Sequence, residues 1–172
     1  LPDLVCNTSC IQYLHQLGLL GKLSAIADHV VIPTAVLGEL TEGRKRGVDL
    51  PAPDEMRWIA VAAPRSIVGR LLERGADVLS LVTRLGDGET QVLALALERV
   101  GSVAALDDHL ARTFAETLSI PLTGTLGLLL DLKRVGAIGS VRPCLDRLER
   151  LGFRLAPPTR EAVLRLAAED AK

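Results

Sequence analysis

Short apolar runs alternate with helix-period segments along nearly the whole chain, and no other feature of the sequence constrains its fold as strongly. Leu4-Val5-Cys6, His29 to Ile32, Trp58 to Val61, Ser102 to Leu106 and Ile120 to Thr123 read as strands. Apolar residues at helical spacing predict helices over about 10–17, 19–27, 34–41, 66–74, 76–84, 89–99, 107–118, 125–134, 141–150 and 158–170. Strand, helix, strand in this order implies right-handed crossovers, and hence an α/β fold with a mainly parallel sheet between layers of helices.

The 172 residues suit one compact domain, and no boundary divides them, so residues 1–172 are expected to form a single unit. Residues 42–57 (EGRKRGVDLPAPDEMR) hold two Gly, two Pro and mixed charge and read as a mobile loop. Residues 141–172 read as a C-terminal helical extension.

Composition narrows the function. Apolar residues make up 48% of the chain and aromatics only 2%, which favours packed helices and argues against a stacking platform for nucleic-acid bases. The formal net charge of −1 gives no overall basic field. Arg44-Lys45-Arg46 is the one tight basic cluster, and a solvated loop is favoured for it over a phosphate contact. The three cysteines (Cys6, Cys10, Cys144) include no CxxC, so neither a disulfide framework nor a zinc site is supported, and reduced thiols fit a cytoplasmic protein. Cys6 and Cys10 are expected to pack rather than react. No apolar run reaches the roughly 18 residues of a membrane span.

Ligands of parallel sheets bind outside the carboxyl ends of the strands, near the point where strand order switches. The first strand delivers Asn7 and Ser9 to that edge, and strand 102–106 delivers Asp107 and Asp108. Glu39 sits late in helix 34–41 near its apolar stripe. Glu89 opens a helix that is apolar almost all round, with Asp87 as a candidate N-cap, which places Glu89 near the core edge. These acids have two readings. They are caps and solvated edges, or they converge on a hard divalent cation such as magnesium or manganese (Mg2+ or Mn2+) able to activate water and neutralise a phosphodiester. His109 follows the acids and is expected to be solvated.

Six short motifs in order carry a resemblance to the PIN domain superfamily, and within it to a PIN-like branch of bacterial and archaeal proteins. They are Val5-Cys6-Asn7-Thr8-Ser9, Ile32-Pro33 through Glu39-Leu40, Gly86-Asp87-Gly88-Glu89 through Ala96, Asp107-Asp108 through Ala111-Arg112, Gly124-Thr125-Leu126-Gly127 and Gly152-Phe153-Arg154. The resemblance implies a three-layer α/β/α fold with a central parallel sheet, and an acidic site that uses Mg2+ or Mn2+ to hydrolyse RNA. By motif, Glu39, Glu89 and Asp107 are the catalytic candidates. Asn7, Glu39, Glu89, Asp107 and Asp108 are the metal candidates. Ser9 and Thr125 would support the metal or phosphate, and Arg112 would touch a phosphate or pair with an acid, the pairing being favoured. Implied partners are an RNA substrate, a small antitoxin and a second copy of the chain, with no membrane.

The family has Asp where this chain has Asn7. An amide offers a metal one carbonyl oxygen and no charge, so metal affinity falls and a candidate base is lost. Asn7 fits a weakened ribonuclease toxin, an inactive relative that binds RNA or protein without cutting, or a substitution introduced to trap a complex. A generic phosphatase on a doubly wound sheet is disfavoured, because no Asp-x-Asp follows the first strand.

Overall fold

A computed structural model describes residues 1–66 and 83–169. Five strands are formed among the described residues: β1 Leu4–Cys6, β2 Val30–Pro33, β3 Ala60–Ala62, β4 Val103–Ala105 and β5 Leu122–Thr123. They lie in the order β3-β2-β1-β4-β5, every pair parallel. Among the described residues the helices with defined bounds are α1 Thr8–Gln16, α2 Thr34–Lys45, α3 Asp87–Glu98, α4 His109–Thr117, α5 Thr125–Arg134, α6 Arg142–Arg150 and α7 Pro157–Leu166, with a 3-10 turn over Leu20–Ala25. The architecture is a three-layer α/β/α fold.

The sheet centre explains the apolar runs. Every residue of β1 and β2 is buried, as expected for parallel strands covered on both faces. Helix α3 contacts β1, β2 and β4 and buries Val92, Leu93, Ala94, Leu95 and Ala96. At the amino end of β1, Asp3 accepts from Arg99 (Nη2 at 2.5 Å) and faces His29 Nδ1 at 2.8 Å. Those two partners hold its carboxyl below the ordinary carboxylate range. Asp3 is therefore committed to the far end of the strand from Asn7.

Several boundaries differ from expectation, each for a local reason. Helix α1 starts at Thr8 because Asn7 caps it. Residues 20–25 tighten into a 3-10 turn around Gly21 instead of an α-helix. Helix α2 runs on to Lys45, taking the first residues of the expected loop, and Leu50 and Met56 from the rest of that loop are buried. In that helix end, Lys45 and Arg46 both pair with Glu42. Strand β3 starts at Ala60, since Trp58 is held in a turn by its Nε1 donating to the Glu55 carbonyl at 2.9 Å. The N-cap of α3 is Gly86, with Asp87 already inside the first turn. The helices expected over 66–74 and 76–84 lie, but for their ends, outside the described residues.

The C-terminal helices belong to the same core. Val141, Leu145, Leu148, Val163 and Leu164 join the cluster that includes β1 and α5. Helix α7 stops at Leu166, and Glu169 beyond it turns back to α6. Among the described residues no helix is long and apolar enough to cross a membrane.

Candidate active site

Strand order reverses between β1 and β4, so the chain diverges to either side from their shared carboxyl end. Asn7 directly follows β1, Asp107 stands two residues past β4, and Thr125 two past β5. Glu39 comes from α2, which leaves β2 at the same edge, and Glu89 from the first turn of α3.

Asp107 is half-buried and firmly held. Its Oδ1 accepts from the Thr125 amide at 2.8 Å, and its Oδ2 from the Thr125 hydroxyl at 2.6 Å and the Cys10 thiol at 3.4 Å. Gly124 makes this approach possible. A Cβ there would stand 2.8 Å from Asp107 Oδ1 and 2.9 Å from the Leu106 carbonyl. Burial, with the nearby Asp107 charge, pushes the Cys6 thiol up to about 12 and raises Cys10 well above its ordinary value. Both thiols stay protonated, so Cys10 acts here as a donor and not as a nucleophile.

Asn7 is buried, and its side chain faces its own helix. Oδ1 accepts from the Cys10 amide at 3.1 Å and from the Ser9 hydroxyl at 3.2 Å, an N-cap for α1. Ser9 thus supports Asn7 directly. Asp108 is likewise a cap, its Oδ1 accepting from the Ala111 amide of α4 at 2.9 Å.

Glu39 is exposed but tethered. It accepts from the Gly88 amide at 3.2 Å and from the Thr8 hydroxyl. Gly88 leaves room for it, since a Cβ there would stand 2.7 Å from Oε1 and 2.9 Å from Oε2. Burial raises the Glu89 carboxyl above the usual range, and the charges of Glu39 and Asp108 raise it further. Glu89 is therefore near enough to Glu39 and to Asp108 for each to disfavour its charge.

Arg112 departs from expectation. Its Nη1 donates to the carbonyls of Leu106 at 2.9 Å and Thr123 at 3.0 Å, tying the ends of β4 and β5 together. It pairs with no acid among the described residues. The guanidinium is taken up instead by the carbonyls of Leu106 and Thr123, the latter also accepting from the Leu106 amide at 3.0 Å. Sequence reasoning also missed Thr8 and Cys10 as partners of the acids. Thr8 follows the capping residue and carried no other mark, and Cys10 looked like plain core.

The donor set is all oxygen, the chemistry of magnesium or manganese. Yet among the described residues no three His, Cys, Asp or Glu side chains stand together closely enough to cage an ion. That arrangement fits an ion that takes one or two carboxylates and keeps its water, and it does not fit a closed protein cage. Beside Asp107 opens a cleft of about 470 Å³, bounded further on by Phe153, Arg154 and Thr159.

No curated protein and no solved structure matches the chain significantly. The model of one family, described as a PIN domain, matches residues 3–169. That family is generally nuclease-like and typically dependent on divalent metal. With its strand-end acids and its five-stranded parallel sheet, the chain belongs to the PIN domain family.

Proposed function

We propose that the chain is a metal-dependent endoribonuclease that hydrolyses RNA phosphodiesters at the carboxyl edge of β1 and β4. The observation that carries this reading is the braced Asp107 at the carboxyl edge of β4, with Glu39 tied to the Gly88 amide next to Glu89 at the start of α3. Carboxylates are rarely gathered at a sheet edge for stability alone, since each raises the cost of ionising the next. Of Glu39, Glu89 and Asp107, one or two would hold Mg2+ or Mn2+ directly and the remainder through its waters, with Asp108 and Asn7 at the same edge. When bound, the cation activates water and neutralises charge on the phosphate.

The chain's own residues supply the rest. Thr125 and Cys10 donate to Asp107 and fix both of its oxygens. Gly88 and Thr8 orient Glu39. Glu89, half-buried in the first turn of α3, brings a further carboxylate to this edge. Asn7 contributes no charge, and its carbonyl is engaged in capping α1, so activity is weaker than with Asp at that position. Within this reading the biological role is that of a toxin, with a small antitoxin covering the acidic edge and a homodimer as the working form.

One observation favours a second reading. With the Asn7 carbonyl turned into its helix, the chain would be an inactive module that binds RNA or a protein partner through the same edge.

Cleavage of RNA with Mg2+ or Mn2+, comparing the native chain with Asn7→Asp, separates the two. Cleavage by both, stopped by EDTA, supports the enzyme. Cleavage by Asn7→Asp alone supports the binding module. Cleavage by neither rejects nuclease chemistry at this edge.

A further inference from the structure

We infer that the cleft between Asp107 and the Gly152-Phe153-Arg154 segment seats one nucleotide of a single-stranded RNA, with Arg154 on its phosphate. The inference rests on the RNA reading of the acidic edge and adds the residues that would hold the strand there.

The cleft starts at a candidate catalytic residue. Asp107, Thr123 and Gly124 line it together with Phe153, Arg154 and Thr159. Its volume, about 470 Å³, lies in the usual range for small-ligand sites. The glycines of the lining matter. A Cβ at Gly124 would press on Asp107, and one at Gly127 would stand 2.3 Å from the Thr123 hydroxyl. The cleft is therefore open because the Gly124-Thr125-Leu126-Gly127 run carries no side chain at those two positions.

The Phe153 side is shaped by a turn. Gly152 has φ +88°, a left-handed conformation that L side chains rarely adopt, and it reverses the chain after α6. The Phe153 amide then donates to the Leu148 carbonyl at 2.9 Å. Its ring meets Tyr13 edge-on, with centroids 5.1 Å apart. Phe153 is thus a fixed, half-buried aromatic wall, and Arg154 follows it at the rim.

Of the exposed basic residues with no ion-pair or hydrogen-bond partner among the described residues, which include Arg147 and Arg150, Arg154 is the one that lines the cleft. Arg160 pairs with Asp146 at 2.5 Å and Glu149 at 2.9 Å, Arg134 pairs with Asp131, and Lys133 with Glu169. Arg154 is exposed and has no ion-pair or hydrogen-bond partner among the described residues. An unneutralised guanidinium beside an aromatic wall fits an anion attached to a flat ring, which is the chemistry of a nucleotide. A base reaches Phe153 only after leaving its stack, so the strand must be single.

The test is fluorescence anisotropy with fluorescein-labelled decauridylate in EDTA, which separates binding from cutting. Arg154→Ala should weaken binding about tenfold at low salt, and Arg154→Lys should recover most of it. Thr159→Trp, at an exposed position, should plug the cleft and weaken binding without changing the circular dichroism. An RNA duplex of the same length should bind less tightly than decauridylate. The inference is overturned if the native chain does not bind decauridylate, if both Arg154→Ala and Thr159→Trp bind it unchanged, or if decaglutamate competes as well as unlabelled decauridylate. The two readings fail separately. RNA held through Arg154 but never cut with Mg2+ or Mn2+ removes the nuclease and keeps the cleft. RNA cut with the same KM by Arg154→Ala removes the cleft and keeps the nuclease.

Discussion

Thr125 grips Asp107 twice, through its amide to Oδ1 at 2.8 Å and through its hydroxyl to Oδ2 at 2.6 Å. The two residues stand past neighbouring parallel strands, so this grip fixes an acid of one strand end by a helix start on the next. Thr125→Val keeps the shape and the amide but loses the hydroxyl. Thr125 is fully buried, so the change should cost about 1–2 kcal/mol in urea denaturation, with Thr125→Ser close to the native chain. Metal-dependent cleavage should fall in Thr125→Val and vanish in Asp107→Asn. An Asp107→Asn protein that still cuts at the native rate would place the chemistry elsewhere.

Asn7 is a helix cap at a position where the resemblance calls for an acid. Asn7→Ala should lose roughly 1 kcal/mol of stability through the cap alone. Asn7→Asp keeps a capping oxygen but adds a negative charge near Asp107. That variant should gain more in Tm from added Mn2+ than the native chain does, because a cation that binds only the folded state stabilises it. Equal shifts in the two proteins would show that position 7 does not face the ion.

The placement of these residues was legible in the sequence where it followed from local order. A buried strand ending in two acids put Asp107 at the carboxyl edge, and the first strand put Asn7 and Ser9 at the same edge. What was not legible was which partner each acid would take. Thr125 lies 18 residues beyond Asp107 and Cys10 lies 97 before it, so their contacts arise only once the strands have paired. Arg112 shows the same limit. Its choice of two carbonyls over a carboxylate depends on where β4 and β5 stop, a detail set by the sheet and not by the Asp-Asp-x-x-Ala-Arg spacing.

Gly88 tests the Glu39 tether. Adding a methyl in Gly88→Ala places a carbon 2.7 Å from Glu39 Oε1 and forces that exposed side chain aside. Helix propensity favours Ala by up to about 1 kcal/mol, so stability should hold or rise slightly. Cleavage should nevertheless fall, and calorimetric titration should show weaker Mn2+ binding. Undiminished metal binding would remove Glu39 from the site.

Glu169 sets an acid limit on the C-terminal packing. Burial works against its charge, but Lys133, the Ser140 hydroxyl and the amides of Val141 and Arg142 outweigh it and hold the carboxyl down to about 2. A depressed carboxyl stabilises the fold above its ordinary pKa of 4.5, and this contribution is lost as pH falls from there toward 2. Denaturation midpoints should therefore drop across that window in the native chain. Glu169→Gln should start lower and change less with pH, and parallel curves for the two would assign the acid sensitivity to other groups.

The strand order also governs when the site can come into being. β1 is made first and ends up between β2 and β4, with Cys6 registered against Ala105. Contacts so distant along the chain are slow to close. A nascent chain that has shown the ribosome exit only Asn7, Glu39 and Glu89 has no Asp107, and one that has released Asp107 still lacks the Thr125 that steadies it. A site built this way is incomplete until Thr125 has followed Asp107 out of the ribosome and β4 has paired with β1.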